Sequence, residues 1–552
     1  MVILYRDICK LLGYYFFGLT ATLCIPFILA TYYEYVAAPE IHPQPHSTIA
    51  FLGAILVCLL AGGICYSIGK KSTGNFYRRE GIFVVVLIWF LSPAVAALPY
   101  SFSQTLTNPF QAYFEGASGL TTTGSTTLTA KKFDDKTGKE IPIKKVVPGV
   151  HDTVYSFYGT VNPVRDPETG EVLYEGIEAV SKAILFWRSF TQWLGGMGII
   201  VLFVAVLPAL GVGGKQLFHA EMPGPVKDSL TPRIKETASQ LWKIYLGISA
   251  LEIIILLVTN SEISFLDAFT ITFSTVSTGG FCIKNTSIGA FASSTTDWVI
   301  MIFMFISSIN FSLYFYAIRG KIFRLYDREL IIYIALLLTA CGLTSYFIAG
   351  TEKLLLNNSQ AGVFTNEEAV RYGFFQIISA QTTTGFTNID YDIWPYTAQV
   401  ILIIVMFFGG MAGSTSGGMK IMRVYMLFRI AQDKIESSFR PESIRTFRIG
   451  NSDVDSGASI RVLCFFLILV SIATLATFLF MMDGLDPETA FATTACMINN
   501  IGIGFRMTGP TESCAFMTNE ALSLSSFLMI LGRLEFFAIL AVLVPAFWKQ
   551  HS

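Results

Sequence analysis

The segment Thr121-Thr122-Thr123-Gly124 recurs in altered form as Val276-Ser277-Thr278-Gly279, Thr382-Thr383-Thr384-Gly385 and Asn499-Asn500-Ile501-Gly502. Each copy follows a short apolar run that opens with a helix-start signal. Asn108-Pro109 and Asp486-Pro487 place an N-cap before a proline, whereas Ser264 and Thr365 each precede the acid of a capping box by three residues. A bilayer-crossing helix needs about 20 apolar residues, more than these runs contain. We therefore predict four half-membrane helices, each followed by an extended polar strand.

The composition indicates an integral membrane protein. Apolar side chains make up 53% of the 552 residues, and Asp, Glu, Lys and Arg together only 14%. The mean hydropathy is +0.57. Because a soluble chain carries about 25% charged residues, a water-soluble enzyme is excluded, as are a coiled coil and a disordered chain. The net charge of −1 gives no argument for nucleic acid. We predict an all-α membrane fold and no enzymatic activity.

The cysteines indicate neither a redox motif nor a resident metal site. The nine cysteines form no CxxC pair and no Cys/His cluster at zinc spacing. Cys282 and Cys514 fall in polar segments on the same predicted side of the membrane, and whether they pair is left open. The first apolar run lacks a small-residue cleavage site, so we expect no cleavable signal peptide.

Ten apolar runs are long enough to cross a bilayer. They lie near 11–32, 48–68, 81–99, 180–210, 237–259, 296–318, 328–349, 396–428, 457–481 and 521–547. Lys and Arg concentrate in alternate connections, at 69–80, 211–236, 319–328 and 429–448. The connections 33–47 and 482–520 hold almost no positive charge. The positive-inside rule therefore places both termini in the cytoplasm.

The four polar strands predict a path for a monovalent cation. Non-helical backbone at membrane depth is tolerated only where it is buried in protein or lines a water-filled path. Four such strands around one axis can replace the hydration shell of an ion with backbone oxygens. The absence of carboxylates in the strands favours this coordination over a calcium-type acidic ring and points to K⁺ or Na⁺, with K⁺ ahead. For any single copy, helix packing through small residues is the alternative. The predicted filter residues are Thr122, Thr123, Gly124, Ser277, Thr278, Gly279, Thr383, Thr384, Gly385, Asn500, Ile501 and Gly502.

A glycine-rich stretch interrupts the eighth predicted span. Five glycines and three hydroxyl residues between 409 and 418 cannot hold a stable helix, since each glycine costs about 1 kcal/mol. We predict an intramembrane loop able to block the path; a flexible kink at a helix contact is the alternative. The predicted gate residues are Gly409, Gly410, Gly413, Ser414, Thr415, Ser416, Gly417, Gly418, Lys420 and Arg533.

Ionisable residues inside the spans need partners or a path to water. We expect Arg533 to face the cavity near the loop. Lys420 either does the same at the inner mouth or reaches toward the cytoplasm. Glu535, two residues after Arg533, needs a partner of its own. Glu252 is expected to pair with a buried base or amide, and Arg188 to anchor its helix.

Several motifs resemble the Trk/Ktr/HKT superfamily of K⁺ transporters across nearly the whole chain. They are Trp187-Arg188-Ser189-Phe190-Thr191-Gln192-Trp193-Leu194-Gly195-Gly196-Met197-Gly198-Ile199, Ala220-Glu221-Met222-Pro223-Gly224-Pro225, Thr275-Val276-Ser277-Thr278-Gly279-Gly280-Phe281, Asn310-Phe311-Ser312, Gly413-Ser414-Thr415-Ser416-Gly417-Gly418 and Leu531-Gly532-Arg533-Leu534-Glu535. The resemblance implies a bacterial inner-membrane K⁺ transport subunit, with Gly124, Gly279, Gly385 and Gly502 as the filter glycines. It also implies a homodimer that works with a cytosolic nucleotide-binding regulatory subunit resembling TrkA. No cofactor is expected in this chain, and ATP/ADP or NAD would act only through that partner.

The same resemblance implies four helix–pore-loop–helix repeats around one path. We assign 1–75 to two extra helices, and 76–215, 230–322, 323–435 and 455–552 to the repeats. The first repeat departs from the expected pattern with an insertion at about 131–178, in which Asp134–Gly138 and Asp166–Gly170 predict hairpin turns. A phenylalanine stands ten residues before the glycine in three copies (Phe114, Phe269, Phe375) but eleven before it in the fourth (Phe491), which places the fourth copy out of register.

Two other function classes are compatible with these patterns. One is a secondary symporter that couples K⁺ to Na⁺ or H⁺; repeats with an even number of crossings share one orientation, which favours a pore instead. The other is a non-conducting scaffold or sensor. The sequence does not decide the K⁺:Na⁺ ratio, the regulatory nucleotide or the role of the insertion.

Overall fold

The computed structural model describes residues 5–37, 42, 44, 46–72, 78–134, 136–148, 152–166, 168–198, 234–356, 360–440, 448–449, 452–453 and 456–549. The helices in these ranges are α1 Tyr5–Tyr35, α2 Ser47–Gly69, α3 Arg78–Phe102, α4 Pro109–Leu120, α5 Lys182–Gly196, α6 Ile234–Thr259, α7 Phe265–Val276, α8 Ser294–Ser307, α9 Phe311–Ile318, α10 Arg328–Ile348, α11 Asn366–Gln381, α12 Tyr396–Phe407, α13 Ile421–Phe439, α14 Ser456–Met482, α15 Pro487–Asn499, α16 Asn519–Arg533 and α17 Phe537–Leu543. The all-α membrane class is confirmed.

The strands form only small antiparallel pairs. They are β1 Lys132–Phe133 with β2 Glu140–Ile141, β3 Ile143–Val147 with β4 Thr153–Phe157, β5 Val164–Arg165 with β6 Val172–Tyr174, β7 Glu352–Leu354 with β8 Gln360–Val363, and β9 Arg448–Ile449 with β10 Ser452–Asp453. The first three pairs form the predicted insertion. Gly138 and Gly170 close two of its turns with φ of 64° and 72°, conformations that favour glycine.

The insertion packs over the fourth repeat. The Tyr155 hydroxyl donates to an Asp486 carboxylate oxygen at 2.6 Å, at the start of α15. Lys145 pairs with Glu512. Burial and the Asp486 carboxylate raise the pKa of Tyr155 to about 12, so this hydroxyl remains a donor at physiological pH. Cys282 and Cys514 are free, buried thiols.

Six helices are each long and apolar enough to cross a bilayer within the described ranges: Tyr5–Tyr35, Ser47–Gly69, Arg79–Phe102, Ala238–Thr259, Arg328–Ile348 and Ser459–Met482. Glycines let α1 and α2 pack closely: a methyl group on Gly13 would come within 2.8 Å of the Tyr66 backbone nitrogen. Of the predicted fourth span, 199–210 lie outside the described residues, as do the basic residues Lys215, Lys227 and Arg233, the motif at 220–225 and the predicted boundary between the first two repeats.

Two spans that we predicted as continuous are broken. The sixth bends by 93° between α8 and α9, and the tenth by 114° between α16 and α17. Asn310 caps α9, its side-chain oxygen accepting from the Ser312 N–H at 2.9 Å. At the other break Glu535 and Phe536 have φ of 55° and 62°, which no α-helix contains. The eighth predicted span is interrupted by residues 408–420, between α12 and α13. Within the described residues, breaks occur in the second spanning helix of repeats two, three and four, and α5 of the first repeat ends at Gly196, inside the span that we predicted to continue to 210.

All four predicted half-membrane helices are present. The helices α4, α7, α11 and α15 have 12, 12, 16 and 13 residues, too few to cross a bilayer. Asn108 and Asp486 cap the helices that begin with proline. Ser264 with Asp267, and Thr365 with Glu368, form complete capping boxes. The sequence-encoded caps thus start each helix at the expected residue.

Candidate functional site

The strands that follow the four short helices meet in a ring. A methyl group built on Gly124 would come within 2.2 Å of the Gly279 carbonyl oxygen, and one on Gly280 within 2.0 Å of the Thr384 oxygen. One on Gly385 would lie 1.9 Å from the Ile501 oxygen, and one on Gly502 2.2 Å from the Thr123 oxygen. Each strand therefore contacts the next repeat in the order one, two, three, four and back to one. Only glycine allows this approach of backbone to backbone.

The backbone bonds that end the short helices show which residues are equivalent. The N–H groups of Thr123, Gly279, Thr384 and Ile501 donate to the oxygens of Ser118, Ser274, Ser379 and Cys496 at 2.9, 2.7, 2.9 and 3.1 Å. The residue before each is left-handed: Thr122, Thr278, Thr383 and Asn500 have φ of 55°, 54°, 58° and 56°. The residue after each is the glycine with positive φ: Gly124, Gly280, Gly385 and Gly502, at 91°, 78°, 82° and 88°.

These bonds correct the predicted register of the second strand. Gly280, not Gly279, is equivalent to Gly124, and Gly279 matches Thr123, Thr384 and Ile501. Ser277, which we placed inside the filter, becomes the residue that caps α7. The error arose because two consecutive glycines each fit the repeated pattern, and only the backbone conformation distinguishes them.

The corrected register also changes the predicted spacing between the phenylalanine and the equivalent glycine in the second copy. Counted from Gly280, Phe269 is eleven residues away, like Phe491 from Gly502. Phe114 and Phe375, ten residues away, are each 0% exposed, whereas Phe269 and Phe491 are 38% and 43% exposed. The second and fourth copies therefore share one arrangement and the first and third share another.

The ring is buried, and its backbone conformation is unusual. Left-handed residues other than glycine cost about 1–3 kcal/mol each and persist where the surrounding structure fixes them. Thr122, Thr278, Thr383 and Asn500 are at most 1% exposed. The short helices end directly before the ring, so their carbonyl ends add partial negative charge there. No ring residue carries a carboxylate, which leaves backbone oxygens, hydroxyls and one amide as its polar groups.

A buried ion pair supports the first two strands from behind. The Arg188 Nε lies 3.4 Å from a Glu115 carboxylate oxygen, with the two side chains 1% and 0% exposed. Glu115 accepts from the Thr127 N–H at 2.6 Å, and Arg188 donates to the Cys282 oxygen at 3.2 Å. The guanidinium also lies 4.1 Å from the centroid of the Phe281 ring. Arg188 does more than anchor its helix: it joins the ends of two strands.

Two supporting residues escaped the sequence interpretation. Glu115 is a carboxylate within a short apolar helix, and such a residue normally has a buried partner, which was the available signal. Gln192 donates to the Gly279 oxygen at 2.6 Å and accepts from the Phe281 N–H at 3.1 Å. Nothing in the sequence identifies the strand that Gln192 contacts.

The loop at 409–418 lies against the ends of the short helices. The Thr383 hydroxyl oxygen accepts from the Gly417 N–H at 2.6 Å, and the Thr415 hydroxyl donates to the Val276 oxygen at 3.1 Å. A methyl group on Gly417 would come within 2.5 Å of the Asn499 oxygen. The loop thus contacts repeats two, three and four at the base of the ring.

Three charged side chains hold this loop. Arg533 donates to the Thr415 oxygen at 2.9 Å and, on its other side, to the Gly195 oxygen at 2.7 Å. Lys420 is only 3% exposed and donates to the Ser416 oxygen at 2.6 Å, so it does not reach toward the cytoplasm. Glu329 accepts from the Ala412 N–H at 2.8 Å. Ser414–Gly418 and Arg533 line a cavity of about 120 Å³, which is room for several waters.

Two further carboxylates predicted within the spans, Glu535 and Glu252, lie in different environments. Glu535 pairs with Arg423 at 2.5 Å, separate from Arg533 as its spacing required. Glu252 is 0% exposed, and neither of its oxygens makes a hydrogen bond of ordinary geometry to a described residue. Within the described part of the chain, the buried base or amide that we expected beside Glu252 is not observed.

Such an arrangement, with four half-membrane helices, a buried ring of strands and a loop beneath it, defines a multi-pass membrane protein built around a buried polar ring. A family model described as TrkH, a cation transport protein, matches residues 165–549. The Trk system potassium uptake protein TrkH of Salmonella typhimurium is 32% identical over 99% of this chain and 100% of its own length. The TrkH of Halomonas elongata is 30% identical over 91% of this chain and 92% of its own.

The fold matches a solved structure as well. The crystal structure of the potassium transporter TrkH from Vibrio parahaemolyticus superimposes with a TM-score of 0.77 and 26% identity, covering 99% of this chain and 100% of that one. The chain belongs to the TrkH family of cation transport proteins.

Proposed function

We propose that the chain is the K⁺-translocating subunit of a bacterial Trk-type potassium uptake system. The observation that carries the proposal is the ring in which backbone oxygens and positive-φ glycines of four repeats contact one another in cyclic order. A ring without carboxylates suits a monovalent ion that exchanges its hydration shell for backbone oxygens. The relatives compared above are named as potassium uptake proteins, which supports the same ion.

The proposed filter follows the corrected register. It comprises Thr122, Thr123, Gly124, Thr278, Gly279, Gly280, Thr383, Thr384, Gly385, Asn500, Ile501 and Gly502. Its chemistry is not fourfold, because Asn500 and Ile501 stand where two repeats have threonine pairs. The Asn500 amide donates to the Thr123 hydroxyl oxygen at 3.0 Å, so the fourth strand supports the first through a side chain.

The loop at 409–418 is the proposed gate. It lies at the base of the ring. The charged side chains of Arg533, Lys420 and Glu329 make hydrogen bonds to its backbone. Arg533 places a positive charge beside the path, which raises the barrier to cations while the loop is in place. Movement of the loop therefore has to break charge-assisted hydrogen bonds, which makes it a regulated step.

The proposal includes a partner and a location. The relatives are named as Trk system proteins, which supports partnership with other Trk components. The assembly that we propose is a homodimer acting with a cytosolic nucleotide-binding subunit resembling TrkA. The alternating basic connections support an inner-membrane protein with both termini in the cytoplasm. Nucleotide would act through that subunit.

Ion flux in proteoliposomes tests the proposal and separates it from K⁺/Na⁺ or K⁺/H⁺ symport. Unitary K⁺ currents support a gated pore. Saturable K⁺ flux that moves Na⁺ or H⁺ with it supports a symporter. Absence of any flux, in preparations that bind their regulatory partner, contradicts both and favours a scaffold.

A further inference from the structure

Glu329 contacts the proposed gate from α10, the first spanning helix of the third repeat. It lies in the first turn of α10, is 6% exposed, and accepts from the Ala412 N–H at 2.8 Å. Ala412 lies three residues before Thr415, whose carbonyl oxygen accepts from Arg533. A buried carboxylate is costly unless it is paired or hydrogen-bonded, so its position at this N–H is a specific one.

The next loop residue, Gly413, is held by α9, the helix that precedes α10 in the chain. The Phe311 N–H, at the start of α9, donates to the Gly413 oxygen at 3.1 Å. A methyl group on Gly413 would lie 2.8 Å from the Asn310 side-chain oxygen. The neighbouring loop residues Gly413 and Ala412 are therefore held by the first turns of α9 and α10, the two helices that the connection at 319–327 joins.

The connection between these two helices is a basic segment at the surface. Residues 319–327 join α9 to α10, and Arg319 and Lys321 in this connection are exposed, as is Arg328 at the start of α10. Asp327 caps α10, accepting from the Glu329 N–H at 3.3 Å. The connection therefore directly precedes Glu329, which contacts Ala412, and directly follows α9, whose first N–H contacts Gly413.

We propose that Glu329 is a positioning residue of the gate, which holds Ala412 and links the basic connection at 319–327 to the intramembrane loop. Glu329 and the two basic side chains hold the loop through opposite kinds of group. Glu329 accepts a hydrogen bond from a loop N–H group, whereas Arg533 and Lys420 donate to loop carbonyl oxygens. Displacing the connection breaks the hold at Ala412 without disturbing the ring above. This inference rests on the proposed gate.

The experiment combines two readouts on Glu329→Leu and Glu329→Gln. The first is single-channel open probability in proteoliposomes. The second is the rate at which a membrane-impermeant thiol reagent modifies Ser414→Cys, followed by mass spectrometry of that peptide. Ser414 lines the cavity under the loop. Loss of a hydrogen bond to a charged group should raise both readouts about tenfold for Glu329→Leu. Glu329→Gln keeps an oxygen acceptor and should show a smaller rise.

Glu367 supplies the control, because it is an exposed carboxylate in the first turn of α11. Glu367→Leu should change neither readout. If the parent protein carries no K⁺, the proposed function fails, while the modification rate still tests the hold on the loop. If the parent conducts and folded Glu329→Leu and Glu329→Gln both match it in the two readouts, the inference is overturned. If Glu329→Leu does not fold, the Glu329→Gln result decides: a rise supports the hold, and parent-like values overturn it.

Discussion

The ring and the loop beneath it are built in different ways. In the ring, four strands use the same backbone conformation, and each glycine approaches a carbonyl of the neighbouring repeat. The loop occurs in one repeat, and charged side chains from three helices or helix ends hold it. A structure fixed by backbone contacts cannot move without losing its geometry. A structure held by a few side chains can be released, which suits a filter above and a gate below.

The largest expected effect follows from adding a methyl group to the ring at Gly280. Gly280→Ala forces an L-residue to a φ of 78° and places its Cβ 2.0 Å from the Thr384 oxygen. The backbone term alone is about 1–2 kcal/mol, and the contact cannot be relieved without moving the strand. We expect K⁺ flux in proteoliposomes to fall at least about tenfold.

Two controls sharpen this prediction. Gly342→Ala should be harmless, because nothing lies within 4 Å of its added methyl group. Gly279→Ala should retain more K⁺ selectivity than Gly280→Ala, because the three equivalent residues already carry side chains and its methyl group would first meet the Gln192 side chain, at 2.5 Å, rather than the backbone of a neighbouring strand. If Gly279→Ala lost more K⁺ selectivity than Gly280→Ala, Gly279 and not Gly280 would be the residue equivalent to Gly124. That result would contradict the register observed in the structure.

The second prediction concerns the ion pair behind the ring. Arg188→Leu leaves Glu115 buried and unpaired, which costs about 3–5 kcal/mol. We expect a large loss of thermal stability in detergent and weaker K⁺/Na⁺ discrimination. Arg506→Leu is the control, since its pair with Glu488 is partly exposed and such pairs contribute about 0–1 kcal/mol. Equal losses in the two variants would show that the buried pair has no special role.

The starts of the short helices and the non-helical loop could both be predicted from the sequence. Asn108, Ser264, Thr365 and Asp486 start the short helices where caps were expected, because capping is a local property of the chain. The glycines at 409–418 likewise exclude a helix without reference to any neighbour. The register of the second strand could not be predicted, since Gly279 and Gly280 satisfy the same pattern.

Other features depend on contacts distant in sequence. The break at Ser308-Ile309-Asn310 and the one at Leu534-Glu535-Phe536 lie in apolar runs long enough for a straight helix. Only the packing of the loop and ring shows why these helices bend. The pairing of Glu115 with Arg188 joins residues 73 positions apart, which no periodicity reveals.

The third prediction tests how the loop is held. Arg533→Ala removes donors to the Thr415 and Gly195 oxygens. Because hydrogen bonds from charged groups contribute about 1.5–3 kcal/mol, open probability should rise by about tenfold or more. Ion selectivity should stay unchanged, since the ring keeps its own contacts. Arg429→Ala, an exposed arginine of α13, serves as the control in single-channel recordings. An unaltered open probability in Arg533→Ala would contradict the proposal that the loop is the gate.

The smallest effect is expected at the exterior insertion. Tyr155→Phe deletes the hydroxyl that donates to Asp486 at the start of α15. We expect about 1 kcal/mol lower stability and unchanged K⁺ selectivity. Tyr158→Phe, at a side chain that is 57% exposed, is the matched control. A change in selectivity would show that the insertion acts on the ring.

The central claim is that four strands surround one alkali ion. The most direct test is a crystal structure of the protein grown with Rb⁺, whose anomalous signal marks its position. The account predicts a peak on the axis of the ring, coordinated by backbone oxygens from 121–125, 277–281, 382–386 and 499–503. A ring axis without a peak, or Rb⁺ bound only at side-chain carboxylates elsewhere, would contradict it.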